Sequence, residues 1–460
     1  MGESIAPVIL KAISDATTTQ NLLPNHDVKF VWYDTQCDKE KADLLLLVGK
    51  TFTPDVFIGP PCSVVVEEAI SRYEILNGDM EVPVLSWGAA NPKFADKNQY
   101  PMFSRVVAAY TSHNSAILSV ADFYKWKKIS LVVEDNNLFR TTAILLENEI
   151  AVVFPDINVK MSFSSLDSAI SSFLKSAGED GTDAVMVLGY CDLMSRAYKM
   201  AGETTEFDNQ KIAVVGFDYN AGCVNPEINM NGFWHLTTKS KTEEETVSSF
   251  FEDFVDGKWN FTQYAEYPYG NAIPNPAHAE EFRTAMGSET YTAVPNNLAV
   301  DPDFAGYLYD AIMLYLTAIH SMVDDTAGFG YFTDGGPPVP LGLANAYIRK
   351  AQLPDGVSGF VKLDSAGERK SEISLRSVRH VDDLYEDVEF ATYDPLAVSL
   401  ASAFTWEIEQ EEIVWAFGKT EAAEKDEDKS SYFSFGTSSV LKIVIALMTG
   451  FVTCAATIAL

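Results

Sequence analysis

Residues 100–135 read YPMFSRVVAAYTSHNSAILSVADFYKWKKISLVVED. The opening YPMFSRVV is a short β-prone run with Arg105 inside it. TSHNSAILSVADFYKW predicts a helix opened by Thr111 or Ser112 as N-cap, with apolar residues at 117, 118, 120, 121, 123 and 124. KKISLVV is β-branched and uninterrupted, the pattern of a strand buried on both faces. Strand, helix and strand in so short a span form a βαβ unit, which requires a parallel sheet and a right-handed crossover.

The same rhythm runs outward in both directions. Upstream it predicts helix 4–19, strand 28–34, helix 39–50, strand 55–60, helix 63–76 and strand 82–88. Downstream it predicts helix 137–150, strand 157–163, helix 166–176, strand 183–189, helix 192–202 and strand 211–217. Segment 231–240 then leads into helix 241–257. Such alternation marks an α/β protein with doubly wound sheets. Helices 276–287 and 302–323 follow, the second with an apolar face through Phe304, Tyr307, Leu308, Ile312, Leu316 and Ile319. Residues 328–340 read as a loop and 355–378 as a hairpin turning at Asp364-Ser365-Ala366-Gly367. Residues 379–415 read as short strands with a polar patch, and 419–431 as a charged linker.

A chain of 460 residues is too long for one core and points to two domains. The net charge of −32 excludes binding to a phosphate backbone, and hence to nucleic acid, and favours a basic ligand. A mean hydropathy of −0.01 excludes a polytopic membrane protein. Val440 to Leu460 is an apolar stretch with Lys442 as its one charge, long enough to cross a bilayer. The opening residues carry no signal-peptide pattern. The six histidines lack metal-ligand spacing and no nucleophile elbow is present, so neither a metal site, a cofactor nor catalysis is indicated.

Cys37, Cys62, Cys191 and Cys223 are scattered through the globular part and fit two disulfides in an oxidising compartment. Each follows a predicted strand. Neighbouring strands would pair 37 with 62 and 191 with 223, one of three connectivities. The sequon at Asn260 points the same way. Candidate ligand residues lie in loops at the carboxyl ends of predicted strands, where open α/β sheets bind. They are Gly88, Ala89, Ala90 and Asn91, then Asp135, Asn136 and Phe139, then Tyr190 and Asp218, with Tyr110 and Thr111 at the crossover.

Together these stretches resemble a known family. "YP-x-F-x-R" followed by a helix and "W-K-K" is similar to the passage between lobes in receptor ligand-binding regions of the type I periplasmic-binding-protein fold. "FIGPPCS" at 57–63, "VPVLSWGAA" at 82–90, "AGYLYDAIMLYLTAIH" at 305–320 and "GVSGFVKLDSAGERKSEISL" at 356–375 resemble further motifs of that family. The hairpin and the pair Cys37 and Cys62 lean toward the natriuretic-peptide and receptor-guanylate-cyclase branch.

The resemblance implies a two-lobed extracellular sensor on the cell membrane. Lobe 1 would hold 1–108 with 241–352, and lobe 2 would hold 109–240 with 353–415; a linker 416–439 and the hydrophobic segment would follow. It also implies a homodimer, through helix 63–77, and a peptide or small-molecule ligand. A full-length receptor of this branch would continue into a cyclase domain. If the tail is instead a GPI signal, Ser430 or Ser431 is the attachment site and the protein is a clearance-type binder; an amino-acid sensor of the same fold is a further alternative.

Three departures from the family qualify this. Its first strand, ahead of helix 4–19, is absent, which reads as truncation and should harm the first sheet. Pro61 has no N–H to help hold a chloride. Gly88 is followed by two alanines where amino-acid receptors carry hydroxyls, which argues against a standard α-amino-acid site.

Overall fold

The computed structural model describes residues 5–77, 82–208, 210–217, 228–239, 250–252, 254, 259, 271–272, 302–326, 331, 339–381, 384–395, 397, 403–407 and 413–418. Residues 1–407 and 414–419 form one unit. Of the second unit, 408–413 and 420–460, only Ile413 is described. The hydrophobic segment 440–460, Ser430 and Ser431, Asn260, Cys223 and Asp218 therefore lie outside the described residues, as do helix 276–287 and most of 241–257 and 328–340. Among the described residues no helix is long and apolar enough to cross a membrane.

The first sheet has three strands in the order β1 (Phe57–Ile58), β2 (Val84–Ser86) and β3 (Phe103–Arg105), all parallel. Around it lie α1 (Pro7–Ser14), which passes into a π-helical turn at 15–19, α2 (Asp43–Phe52) and α3 (Ser63–Asn77). The second sheet opens with α4 (Thr111–Phe123) and β4 (Lys128–Val133). It continues through α5 (Asn137–Val153), β5 (Asn158–Phe163), α6 (Asp167–Glu179), β6 (Ala184–Leu188), α7 (Cys191–Gly202), β7 (Ala213–Phe217) and β8 (Phe233–Thr238). α8 (Pro302–Asp325) and α9 (Leu341–Lys350) precede the short pair β9 (Gln352–Leu353) and β10 (Val361–Lys362). The chain then forms β11 (Ile373–Val381), β12 (Leu384–Tyr393) and β13 (Phe404–Trp406).

The eight-stranded sheet runs β13-β12-β11-β8-β7-β6-β4-β5. Strands β5 to β8 pair in parallel and β8 to β13 antiparallel. Every residue of β6 and β7 is buried, as a parallel sheet covered on both faces requires. Leu131, Met186 and Val214 are fully buried, each contributing roughly 1.5–3 kcal/mol. In α8, Leu308, Ile312, Leu316 and Ile319 pack into one core cluster with Val8 and Ala12 of α1, so the apolar stripe read from the sequence faces inward.

Three expectations are corrected. Residues 28–34 form no strand: Val31 makes an isolated bridge and the rest lies outside any ladder. The backbone of Phe30 bonds instead to the side chain of Asn271 and to the amides of Asn271 and Ala272. Between 28–35 and 53–61 lies a cleft of about 340 Å³, lined by Ile9, Ile13, Ile312 and Leu316 among others. β1 spans two residues, Phe57 and Ile58. The N-cap of α4 is Tyr110, not Thr111 or Ser112, and no side chain caps it. The region after 379 holds strands of the second sheet longer than expected, with 9 residues in β11 and 10 in β12.

Candidate functional site

The carboxyl ends of β4 and β6 are adjacent because the two strands pair directly, Val133 opposite Leu188. Sequence past these ends is Glu134-Asp135-Asn136 on one side and Gly189-Tyr190 on the other. The Glu134 carboxylate joins them. Its Oε2 accepts the Tyr190 N–H at 2.8 Å and its Oε1 accepts Asn136 Nδ2 at 3.1 Å. A side chain at Gly189 would start 3.0 Å from Glu134 Oε2 and 2.5 Å from Leu193, so glycine lets the two loops meet.

Asn136 caps α5, accepting the Phe139 N–H at 3.1 Å, and this fixes Phe139 at the first turn. Asp135 is exposed and accepts from Arg140 Nε at 2.5 Å, a hydrogen bond that holds its carboxyl below the ordinary range. Asp135 and Asn136 thus shape the loop, while the aromatic rings form a wall. Tyr110 stacks on Phe139 with centroids 5.8 Å apart, and Phe139 meets Tyr190 edge-on at 5.1 Å. His113 lies edge-on to Tyr110 at 5.6 Å and stacks on Phe217, at the end of β7, at 5.1 Å. Phe139 and His113 are buried, whereas Tyr190 is 59% exposed and presents its ring to the outside.

The loop after β2 reaches the same place from the first sheet. The Tyr110 N–H donates to Ala90 O at 3.2 Å, which brings Ala90, Tyr110 and Phe139 into one contiguous set. Ala89, Ala90 and Asn91 are buried and Gly88 is half-buried. Their donors are used internally: the Ala89 N–H reaches Ser86 Oγ at 3.0 Å and the Asn91 N–H reaches Ser63 Oγ at 3.2 Å. At Gly88 a Cβ would lie 2.8 Å from Pro61 Cβ and 2.9 Å from Pro61 O, so this loop packs directly on loop 59–62. Loop 59–62 is itself anchored by the disulfide Cys37–Cys62, with Cα atoms 5.4 Å apart. Cys191 is also disulfide-bonded. Glu67 of α3 pairs with Lys93 and accepts from Asn137 Nδ2 of α5 at 3.4 Å, a link between the elements around the two sheets.

The structure thus gathers Ala90, Tyr110, Phe139 and Tyr190, with Thr111 beside Tyr110 at the start of α4. It adds three residues that sequence reasoning missed: Glu134, His113 and Phe217. Glu134 directly precedes a loop already singled out, and His113 lies one turn along from Tyr110, its N–H donating to Tyr110 O at 3.0 Å. Chemically the wall offers aromatic faces, and the carboxylate Glu134 lies behind it. Among the described residues no cluster of His, Cys, Asp and Glu could hold a metal ion.

Comparison with known proteins gives a consistent grouping. The family described as receptor family ligand binding region matches residues 5–375. The γ-aminobutyric acid type B receptor subunit 1 of Mus musculus is 26% identical over 420 residues, covering 85% of this chain and 40% of the relative. Subunit 2 of the Homo sapiens γ-aminobutyric acid type B receptor is 26% identical over 187 residues, covering 39% of this chain and 19% of that protein. Atrial natriuretic peptide receptor 3 of Homo sapiens is 20% identical over 380 residues, covering 81% of this chain and 64% of the relative. The chain thus spans 40% of the length of the subunit 1 relative.

Proposed function

The chain belongs to the receptor family ligand binding region, and on that premise we propose that it is the extracellular sensor of a cell-surface receptor. The ligand is a small molecule carrying a cationic amine, bound against the exposed ring of Tyr190, which Phe139 and Tyr110 back. The observation that carries this reading is the convergence of those rings with Glu134 at the carboxyl ends of paired strands, where open α/β sheets bind ligands. An exposed aromatic face attracts an ammonium group, and the net charge of −32 steers cations toward the protein. The γ-aminobutyric acid receptors that match 85% of the chain are named for a ligand of this kind. As in relatives named as receptor subunits, the chain would act within a dimer, with α3 as the contact face.

A second reading, a peptide sensor of the receptor-guanylate-cyclase or clearance type, is favoured by one observation. The natriuretic relative is covered over 64% of its own length, against 40% for the γ-aminobutyric acid subunit 1. The two readings separate in a thermal-shift and calorimetric screen of the secreted chain. The probes are γ-aminobutyric acid, glycine, glutamate and a natriuretic-type cyclic peptide. The first reading expects saturable binding of an amine, weakened at least tenfold by Tyr190→Ala and much less by Tyr190→Phe. Binding of the peptide alone supports the second. Amine binding that Tyr190→Ala leaves unchanged refutes the site.

A further inference from the structure

Among the described residues, buried Arg105, Glu368 and Arg369 lie where the chain passes between its two sheets, and Arg105 reaches the loop beside the aromatic wall. Arg105, the last residue of β3, has no exposed surface. Its Nη1 donates to Ala89 O and to Asn91 O, both at 2.8 Å. Its Nε and Nη2 lie 2.7 and 2.5 Å from Glu368 Oε2. The guanidinium therefore fills the inside of loop 88–91 and draws its charge partner from a residue more than two hundred positions away.

The sequence around Glu368 is built to present that carboxylate. In Asp364-Ser365-Ala366-Gly367-Glu368 the Asp364 carboxylate accepts the N–H groups of Ala366 and Glu368 at 2.9 and 3.0 Å. Gly367 takes φ +75°, and its carbonyl accepts the Arg105 N–H at 3.0 Å. A Cβ at Gly367 would stand 2.3 Å from Ser104 Oγ, so this turn lies directly against β3. The other oxygen of Glu368 is held by Lys97 Nζ at 3.2 Å. Five residues beyond Glu368 the chain enters β11 of the eight-stranded sheet.

We propose that Arg105 and Glu368 form a positioning pair that sets loop 88–91, and through the Ala90–Tyr110 hydrogen bond sets the aromatic wall, according to where the turn 364–368 stands. Movement of β11 relative to β3 is then felt at Tyr110 without any contact between β11 and a ligand. The proposal rests on the ligand-binding reading only for what the wall is used for; the mechanical coupling stands or falls separately.

Amide hydrogen exchange on the full chain, without ligand, tests it. Glu368→Gln keeps the shape and an acceptor oxygen but removes the charge that Arg105 faces. The expected result is exchange at least about tenfold faster in peptides covering 86–91 and 109–113, a tenfold change being about 1.4 kcal/mol in opening free energy. Peptides from β4 and β6 should keep wild-type rates. Unchanged exchange at 86–91 and 109–113 overturns the proposal. So does acceleration shared equally by β4 and β6, since the pair would then only add to global stability. If Glu368→Gln fails to fold, Glu368→Asp, with the charge retained one methylene short, is read by the same criteria. Accelerated exchange at 86–91 and 109–113 in a chain whose wild type binds no amine supports the coupling and counts only against the ligand reading.

Discussion

Asp310→Ala is the sharpest test of how this fold is held at the passage between sheets. Asp310 lies on α8 and is fully buried. Its Oδ1 accepts the Val357 N–H at 2.8 Å; its Oδ2 accepts the Ser358 N–H at 2.8 Å and the Ser358 hydroxyl at 2.5 Å. Arg369, 2% exposed, completes the group, donating to Ser358 Oγ, Ser358 O, Phe360 O and Val106 O at 2.7–3.0 Å. Burial pushes the Asp310 carboxyl up, opposed by its Ser358 bonds, the Arg369 charge and the Val357 bond. Alanine would orphan three donors and leave Arg369 without a nearby carboxylate. An orphaned buried donor costs ~1–3 kcal/mol, and the Arg369 charge, joined to Asp310 through Ser358 Oγ and not by a direct ion pair, adds to this. These overlap, so the expected loss is ~4 kcal/mol, not their sum. In urea denaturation followed by circular dichroism this appears as a fall in the midpoint at unchanged slope. Asp310→Ala with Arg369→Met should lose less than the two single losses combined, since the stranded charge is removed. A loss below ~1 kcal/mol for Asp310→Ala, or strict additivity in the double variant, would refute the reasoning.

Four further outcomes are expected. Gly232→Ala, at φ +85°, would place its Cβ 1.9 Å from Trp415 O, a backbone atom that cannot swing aside, so the variant should express insolubly or melt far below wild type. Replacing Cys37 and Cys62 together frees a loop of 25 residues and should cost ~3.5 kcal/mol, read from chemical denaturation; non-reducing peptide mapping should recover the 37–62 link. Burial alone would raise the Asp387 carboxyl, but the His235 and Arg376 hydrogen bonds and charges hold it below its ordinary value. A folded value below the unfolded one adds stability that is complete above the unfolded value, about 4, and fades as pH falls through the folded value. Asp387→Asn should therefore melt lower than wild type at pH 7, with the gap closing at lower pH. Finally, amides of β1 and β2 should exchange at least tenfold faster than those of β6 and β7; equal rates would show the two sheets to be equally stable.

Most of the second sheet was legible because its strands are buried on both faces. Ala184 to Leu188 and Ala213 to Phe217 are continuous apolar runs with no polar competitor, and the helices between them carry clear stripes. β11 and β12 were legible only as a hairpin arm and short strands, for the opposite reason. Their sequences, ISLRSVRHV and LYEDVEFATY, interleave charges that look like a polar surface patch. The pairing gives those charges partners: Arg376 Nε reaches Asp387 at 2.7 Å, Lys239 reaches Glu389 at 3.1 Å, and His235 reaches Asp387 at 2.8 Å. Which carboxylate meets which cation depends on register, and register comes from strands far apart in sequence. The candidate site divides in the same way. Phe139 and Tyr190 were visible as residues just past strands, but Glu134 was one of 65 acids until β4 and β6 were seen side by side.

The failure of residues 28–34 to become a strand follows from the same dependence on neighbours. Val28, Phe30 and Trp32 alternate with Lys29, Val31 and Tyr33, and the β propensity is real. Propensity alone does not hold a strand, because each extended residue loses backbone freedom and recovers it only through a ladder and cross-strand contacts. Here the side facing β1 opens onto the cleft of about 340 Å³. Ile9, Ile13, Ile312 and Leu316 line that space while packing into the core cluster shared by α1 and α8. Among the described residues β1 has two residues and pairs only with β2. The second sheet carries five parallel strands without a gap. The first sheet is therefore expected to be less stable than the second, on which the aromatic wall is mainly built. The loop 88–91 reaches that wall from the weaker half, held there by Arg105 and by the Ala90–Tyr110 hydrogen bond.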